Sequence, residues 1–209
     1  MRAVIVAGGD ADISQIRKEL STVEYELLIA ADSGADYIIE AGYMPDVVVG
    51  DLDSIRSKKA ALSSEIKTYP SEKDFTNTEA AFDYAFKSGA DDILIYGACG
   101  RRLDHFMGNL SLLIKADKLG IGCMLKDTYN IIRLISGDTT ISKAYAFGDY
   151  VSLIPIDDNV ILSLEGFKYP LKNYHLTRDN ALGVSNEITS DTAHIKLFSG
   201  RVLLIESSK

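Results

Sequence analysis

The sequence predicts an α/β fold, with an N-terminal, mostly parallel, Rossmann-like sheet domain followed by a small C-terminal β-sandwich. Three observations predict it. Short β-branched apolar runs alternate with amphipathic stretches as far as Lys126, the order that parallel strands and crossover helices require. Polar loops marked by glycine and aspartate follow those runs, on the edge where such sheets bind ligands. Beyond about residue 128 helical periodicity stops, and only short β-rich runs remain.

A first buried strand is expected over 3–7, ending in Gly8-Gly9-Asp10. Ile13, Ile16, Arg17 and Leu20 then recur at helical spacing. A second strand over 27–31 runs into Asp32-Ser33-Gly34, and a helix over 35–41 closes at Gly42. The third strand carries three consecutive valines, Val47 to Val49, and releases into Gly50-Asp51-Leu52-Asp53. An unbroken run of this kind suits a strand covered on both faces. A polar helix is expected over 57–64, and a short strand over 66–69. Thr76 and Glu79 form a capping-box pattern before a helix that ends near Gly89. A strand over 93–96 leads into GACGRRLDH, a helix over 104–119 ends at Gly120, and a strand over 122–126 closes the series.

In the second part, strands are expected over 131–135, 139–143, 150–156, 160–164, 193–198 and 202–205, with Ser199-Gly200 as a tight hairpin turn. The boundary falls near 127–131, giving units of 1–128 and 129–209. The composition, 46% hydrophobic and 25% charged, is that of an ordinary soluble globular protein. A net charge of −8 provides no basic stripe and argues against nucleic acid as a partner. No stretch is long enough to cross a membrane and the N-terminal run is too short for a signal peptide, so a cytoplasmic location is expected. Two cysteines, Cys99 and Cys123, are too few for a disulfide framework, and His175 and His194 lack a ligand-spaced partner for zinc.

The chemistry concentrates at the strand ends. Asp51 and Asp53, two apart on an extended chain, point the same way. At ~4 Å two such charges repel by roughly 4 kcal/mol at an effective dielectric near 20. A cation between them removes that cost, whereas a solvated turn is the plainer alternative. GACGRRLDH adds glycines that let backbone approach a ligand, arginines that grip phosphate, and a helix start that favours an anion. Asp104 at that start is also a candidate N-cap. Lys73-Asp74 supplies a further cation and carboxylate on the same edge. Carboxylates and guanidinium together suit a polyphosphate bridged by Mg²⁺ through oxygen ligands.

GDLDSI (50–55), KDFTNTE (73–79), GACGRRLDH (97–105) with Asn109, GDYVSLIP (148–155) and GVSNE (183–187) together resemble the thiamine pyrophosphokinase family. They occur in the family's order and span most of the chain. The resemblance implies an ATP-binding α/β catalytic domain (1–128), a thiamine-binding β-sandwich (129–209) and a homodimer. It implies Mg²⁺-dependent transfer of the β,γ-pyrophosphate of ATP to the thiamine hydroxyl, giving thiamine diphosphate and AMP. Asp51, Asp53 and Asp74 would hold Mg²⁺, and with Arg102 and Asp104 they form the catalytic set. Asp74 or Asp104 would take the hydroxyl proton. ATP contacts are expected from Asp32, Lys73, Thr76, Arg102, His105 and Asn109, and thiamine contacts from Ser185 and Asn186. Two departures stand out. Asn77 replaces a family aspartate, and no tryptophan is present to stack on thiamine, so Phe167, Tyr169 or Tyr174 is the expected substitute. The rival readings are a metal-dependent nucleotide phosphohydrolase and a non-catalytic nucleotide-binding regulator.

Overall fold

The computed structural model describes residues 1–50, 65–68, 74–100 and 102–209. The chain divides into two compact units, Met1–Thr128 and Tyr129–Lys209. The helix expected over 57–64 lies outside the described residues.

Unit one holds strands β1 (Arg2–Val6), β2 (Leu27–Ala31), β3 (Val47–Gly50), β4 (Glu65–Thr68), β5 (Asp92–Tyr96) and β6 (Gly122–Lys126). All pair in parallel, in the order β4-β3-β2-β1-β5-β6. Burial explains the strand composition: Ala3, Val4, Ile5 and Val6 of β1 are fully buried, as a central strand with both faces covered requires. The direction of winding reverses between β1 and β5, so the loops after these two strands diverge and leave a crevice.

The helices of this unit are α1 (Ile13–Thr22), α2 (Gly34–Glu40), α3 (Asn77–Lys87) and α4 (Leu103–Leu119). Asp12 caps α1, accepting from the Ser14 and Gln15 amides at 2.8 and 3.4 Å. Thr76 caps α3 through a 3.1 Å bond from the Glu79 amide. The reciprocal half of the expected capping box is replaced: Oε1 of Glu79 accepts instead from Lys115 of α4 at 3.0 Å. Helix α4 stops at Gly120, which takes the left-handed conformation at φ 69°. Ile16 and Leu20 of α1, Ile38 of α2 and Val4, Val6 and Val48 of the sheet form one core with Tyr96. The Tyr96 hydroxyl donates to Glu19 at 2.8 Å, and Glu19 also pairs with Lys126 at 2.7 Å. This satisfies the polar end of a ring that is otherwise sealed in the core.

Unit two is antiparallel. One sheet orders β7 (Asn130–Ile135), β13 (Val202–Ser207) and β9 (Tyr150–Pro155). The other orders β11 (Leu171–Leu176), β10 (Val160–Glu165), β12 (Thr192–Ser199) and β8 (Thr139–Ser142). Val151, Leu153, Val202 and Leu204 from the first and Leu162, Ala193 and Ile195 from the second share one core, the sandwich the sequence predicts.

Two expectations are corrected here. Ser199-Gly200 is not a hairpin turn, because β12 and β13 belong to different sheets and the turn carries the chain from one layer to the other. Strand β11 was not expected. Its sequence, LKNYHL, is largely polar and lies at a sheet edge, so it lacks the apolar alternation that marks a half-buried strand.

Candidate active site

The crevice between β1 and β5 is built by close backbone approach. The Gly9 amide donates to the Gly97 carbonyl at 3.1 Å, beside an Ala7–Tyr96 bond of 2.8 Å. A Cβ on Gly9 would lie 2.3 Å from the Gly97 oxygen, and one on Gly100 would lie 2.6 Å from the Asp10 nitrogen. Only glycine lets these loops meet. Gly97 itself takes φ 68°. The result is an open cleft of about 500 Å³.

Five of the expected ATP residues line this one cleft: Asp32, Thr76, Arg102, His105 and Asn109. Asp32 follows β2 in the left-handed region at φ 57°, a conformation aspartate tolerates better than most residues. Its amide is fixed on Val49 of β3 at 2.9 Å. Asn109 is buried, and its amide nitrogen donates to Ala98 at 2.9 Å, so it ties helix α4 to the glycine loop. Arg102 occupies the N-cap position of the 17-residue helix α4, with no side-chain cap bond. Asp104 is therefore not the cap. It lies one residue inside the helix and grips Arg102 at 2.5 and 3.2 Å. The Arg102 guanidinium holds the Asp104 carboxyl down at about 2.

Asp74 is exposed and is not among the residues lining the cleft. Asp51, Asp53 and Lys73 lie outside the described residues. Among the described residues no group of three or more His, Cys, Asp or Glu side chains is placed to hold a metal ion. Gly50, which precedes Asp51 in sequence, lies with its Cβ direction 3.3 Å from Asp32 and 3.6 Å from the Asn77 amide carbon, and both of these residues line the cleft. The proposed donor set, Asp51, Asp53 and Asp74, is all carboxylate, the hard oxygen chemistry that Mg²⁺ prefers.

Phe75 and Phe106 also line the cleft and were not expected. Phe75 lies within the KDFTNTE motif and Phe106 directly follows GACGRRLDH, but neither position by itself signals a cleft wall. Cys99 lies in the glycine loop, where burial pushes its thiol up to about 12, so it is a packing group and not a nucleophile.

In unit two, Ser185 adopts φ 58°, and its amide donates to the Ser152 hydroxyl at 3.0 Å. Asn186 is buried, and its side chain bonds to backbone rather than opening to solvent. The three aromatic candidates separate by exposure. Phe167 belongs to the core, Tyr174 packs against it, and Tyr169 is 59% exposed.

Comparison with known proteins covers both units. Residues 19–125 match the model of the thiamin pyrophosphokinase catalytic domain, and residues 138–202 match that of the thiamin pyrophosphokinase vitamin B1 binding domain. A thiamine pyrophosphokinase of Bacillus subtilis is 36% identical over 98% of this chain and 97% of its own length. The crystal structure of thiamine pyrophosphokinase from that organism superposes with a TM-score of 0.88 at 33% identity, covering all of both chains. A thiamin pyrophosphokinase structure from Geobacillus thermodenitrificans gives 0.84 at 30% identity, covering all of this chain and 98% of that one. The two matched domains, in this order and over nearly the whole length, show that the chain belongs to the thiamine pyrophosphokinase family.

Proposed function

We propose that this enzyme transfers the β,γ-pyrophosphate of ATP to the hydroxyethyl oxygen of thiamine, releasing AMP. The observation that carries the proposal is the cleft at the β1/β5 switch point. Backbone from two glycine loops and the first turn of α4 line it, and Arg102 and His105 project from that helix start. A helix N-terminus with an adjoining guanidinium is a site for polyphosphate. Family membership favours this reading over a phosphohydrolase or a non-catalytic regulator.

Catalysis of phosphoryl transfer is mainly positioning and charge stabilisation. In this reading the glycine loops hold the triphosphate in the crevice, and Thr76, His105 and Asn109 shape its wall. Arg102 and Lys73 stabilise charge on the transferred group. Asp104, ion-paired with Arg102, aims the guanidinium at the phosphates. The proton of the attacking hydroxyl passes to Asp74 or Asp104. Asp51, Asp53 and Asp74 would hold Mg²⁺, which when bound neutralises phosphate charge. Ser185 and Asn186 belong to the thiamine half of the proposal.

We also propose a homodimer, because unit two is small and leaves Tyr169, Leu182 and Val184 exposed. A cytoplasmic location belongs to the same proposal. Among the described residues no helix is long and apolar enough to cross a membrane. Incubation with ATP, Mg²⁺ and thiamine tests the function. Thiamine diphosphate and AMP in equal amounts support it, and release of inorganic phosphate with thiamine unchanged refutes it.

A further inference from the structure

Glu79 sits three residues after Thr76, where a capping-box side chain would turn back to the Thr76 amide. It reaches across to the neighbouring helix instead. Its Oε1 accepts from Lys115 Nζ of α4 at 3.0 Å, and the same ammonium meets Oδ1 of Asp83, one turn further along α3, at 2.6 Å. The Lys115 Nζ also lies 5.7 Å from the centroid of the Phe82 ring, which is fully buried. One cation of α4 thus gathers two carboxylates and a ring, all from α3.

These two helices matter because of what they carry at their starts. The cap and first residues of α3 supply Thr76, Asn77 and Thr78 to the lining of the cleft. The cap and first two turns of α4 supply Arg102, His105 and Asn109. Glu79 follows Thr78 directly, and Lys115 lies six residues beyond Asn109, about 9 Å along the helix axis. A helix bends little over that distance, so a tie in its body fixes where its first turn sits.

Stability does not explain the arrangement. Lys115, Glu79 and Asp83 keep 34%, 36% and 38% of their side-chain surface exposed, and pairs so placed contribute little to folding. What the contact fixes is geometry. Without the ammonium, Glu79 and Asp83 are like charges at i and i+4 on one helix, and they no longer draw α3 towards α4.

We propose that Lys115 is a positioning residue, which sets the spacing between the starts of α3 and α4 and so the width of the triphosphate cleft, without touching the nucleotide. This inference rests on the proposed reaction, in which the cleft holds ATP.

The test uses Lys115→Met, which keeps the apolar stem over Phe82 and removes the charge. Its melting temperature should stay within about 3 °C of wild type. The ATP KM should rise about tenfold, while kcat and the thiamine KM stay within about twofold. Lys115→Arg should restore the ATP KM, since a guanidinium can bridge the same two carboxylates. The double variant Glu79→Gln/Asp83→Asn cuts the same tie and leaves no charged carboxylate behind. It should match Lys115→Met, and combining all three changes should be no worse. Calorimetric titration with a non-hydrolysable ATP analogue and Mg²⁺, in the absence of thiamine, should show the same tenfold loss of affinity, roughly.

An ATP KM and an analogue affinity unchanged in the double variant overturn the inference. So does a fall in kcat with both KM values unchanged, which is the mark of a merely structural tie. A Lys115→Met chain that fails to fold contradicts the small role in stability, and the double variant then decides the positioning. If the wild-type chain binds the analogue but forms no thiamine diphosphate, the reaction fails and the titration still decides the role of Lys115. If it binds no analogue, the positioning role falls with the cleft's assignment to ATP.

Discussion

Replacing Gly9 by alanine tests whether the cleft depends on backbone-to-backbone approach. The new Cβ would lie 2.3 Å from the Gly97 oxygen, so the β1 and β5 loops must part by roughly 1 Å to reach an ordinary contact. That movement breaks the 3.1 Å Gly9–Gly97 hydrogen bond, at a cost of about 1 kcal/mol, and strains packed neighbours by about 1–3 kcal/mol more. Stability should therefore fall by about 2–4 kcal/mol in urea titration. A 1 Å displacement of loops that position a triphosphate should lower kcat/KM for ATP about a hundredfold. Gly108 is the control. It lies within α4, a Cβ there meets nothing within 4 Å, and its φ is not positive, so Gly108→Ala should stabilise the fold by about 0.5–1 kcal/mol. If Gly9→Ala matched wild type in both stability and kcat/KM, the cleft would not be held by this contact.

Three further outcomes are expected. Asp51→Asn or Asp53→Asn should abolish turnover without unfolding the chain, and Mg²⁺ should no longer raise its melting temperature; near-normal turnover at ordinary Mg²⁺ removes the metal role. Arg102 holds Asp104 at about 2, so the carboxylate stays ionised as pH falls from 7 to about 4, and its favourable contribution to folding is lost only between the ordinary carboxylate range and about 2. Arg102→Gln should return that titration to the ordinary range in a carbon-detected NMR experiment, and an unmoved titration denies the pair in solution. Sedimentation at micromolar concentration should give about twice the 22.8 kDa chain mass. A fully active monomer refutes the dimer.

Much of the fold was legible because local and global preferences agree. The valines of β3 and the buried run of β1 are apolar on both faces, which marks a central parallel strand, and Gly120 ends α4 where its left-handed backbone demands. The gathering of Asp32, Thr76, Arg102 and His105 followed from one topological fact, that strand ends of a parallel sheet share an edge. The crossing at Ser199-Gly200 was not legible. A glycine turn looks the same locally whether the next strand folds back in its own sheet or enters the facing one, and here Leu204 and Val202 are buried by the facing layer. The setting of Asn186 was hidden for a similar reason. A motif shows which residue is present, but the bonds Asn186 makes reach Val151 and Tyr169, which are distant in sequence.

The fate of labelled phosphate tests the central claim most directly. ATP labelled separately at the β and γ phosphorus is incubated with enzyme, Mg²⁺ and thiamine, and the products are resolved by phosphorus NMR. Transfer of the pyrophosphate as a unit predicts that the β label becomes the phosphate esterified to thiamine, that the γ label becomes its terminal phosphate, and that unlabelled AMP is released in equal amount. Label from the γ position alone in thiamine monophosphate, with ADP as the companion product, would contradict it.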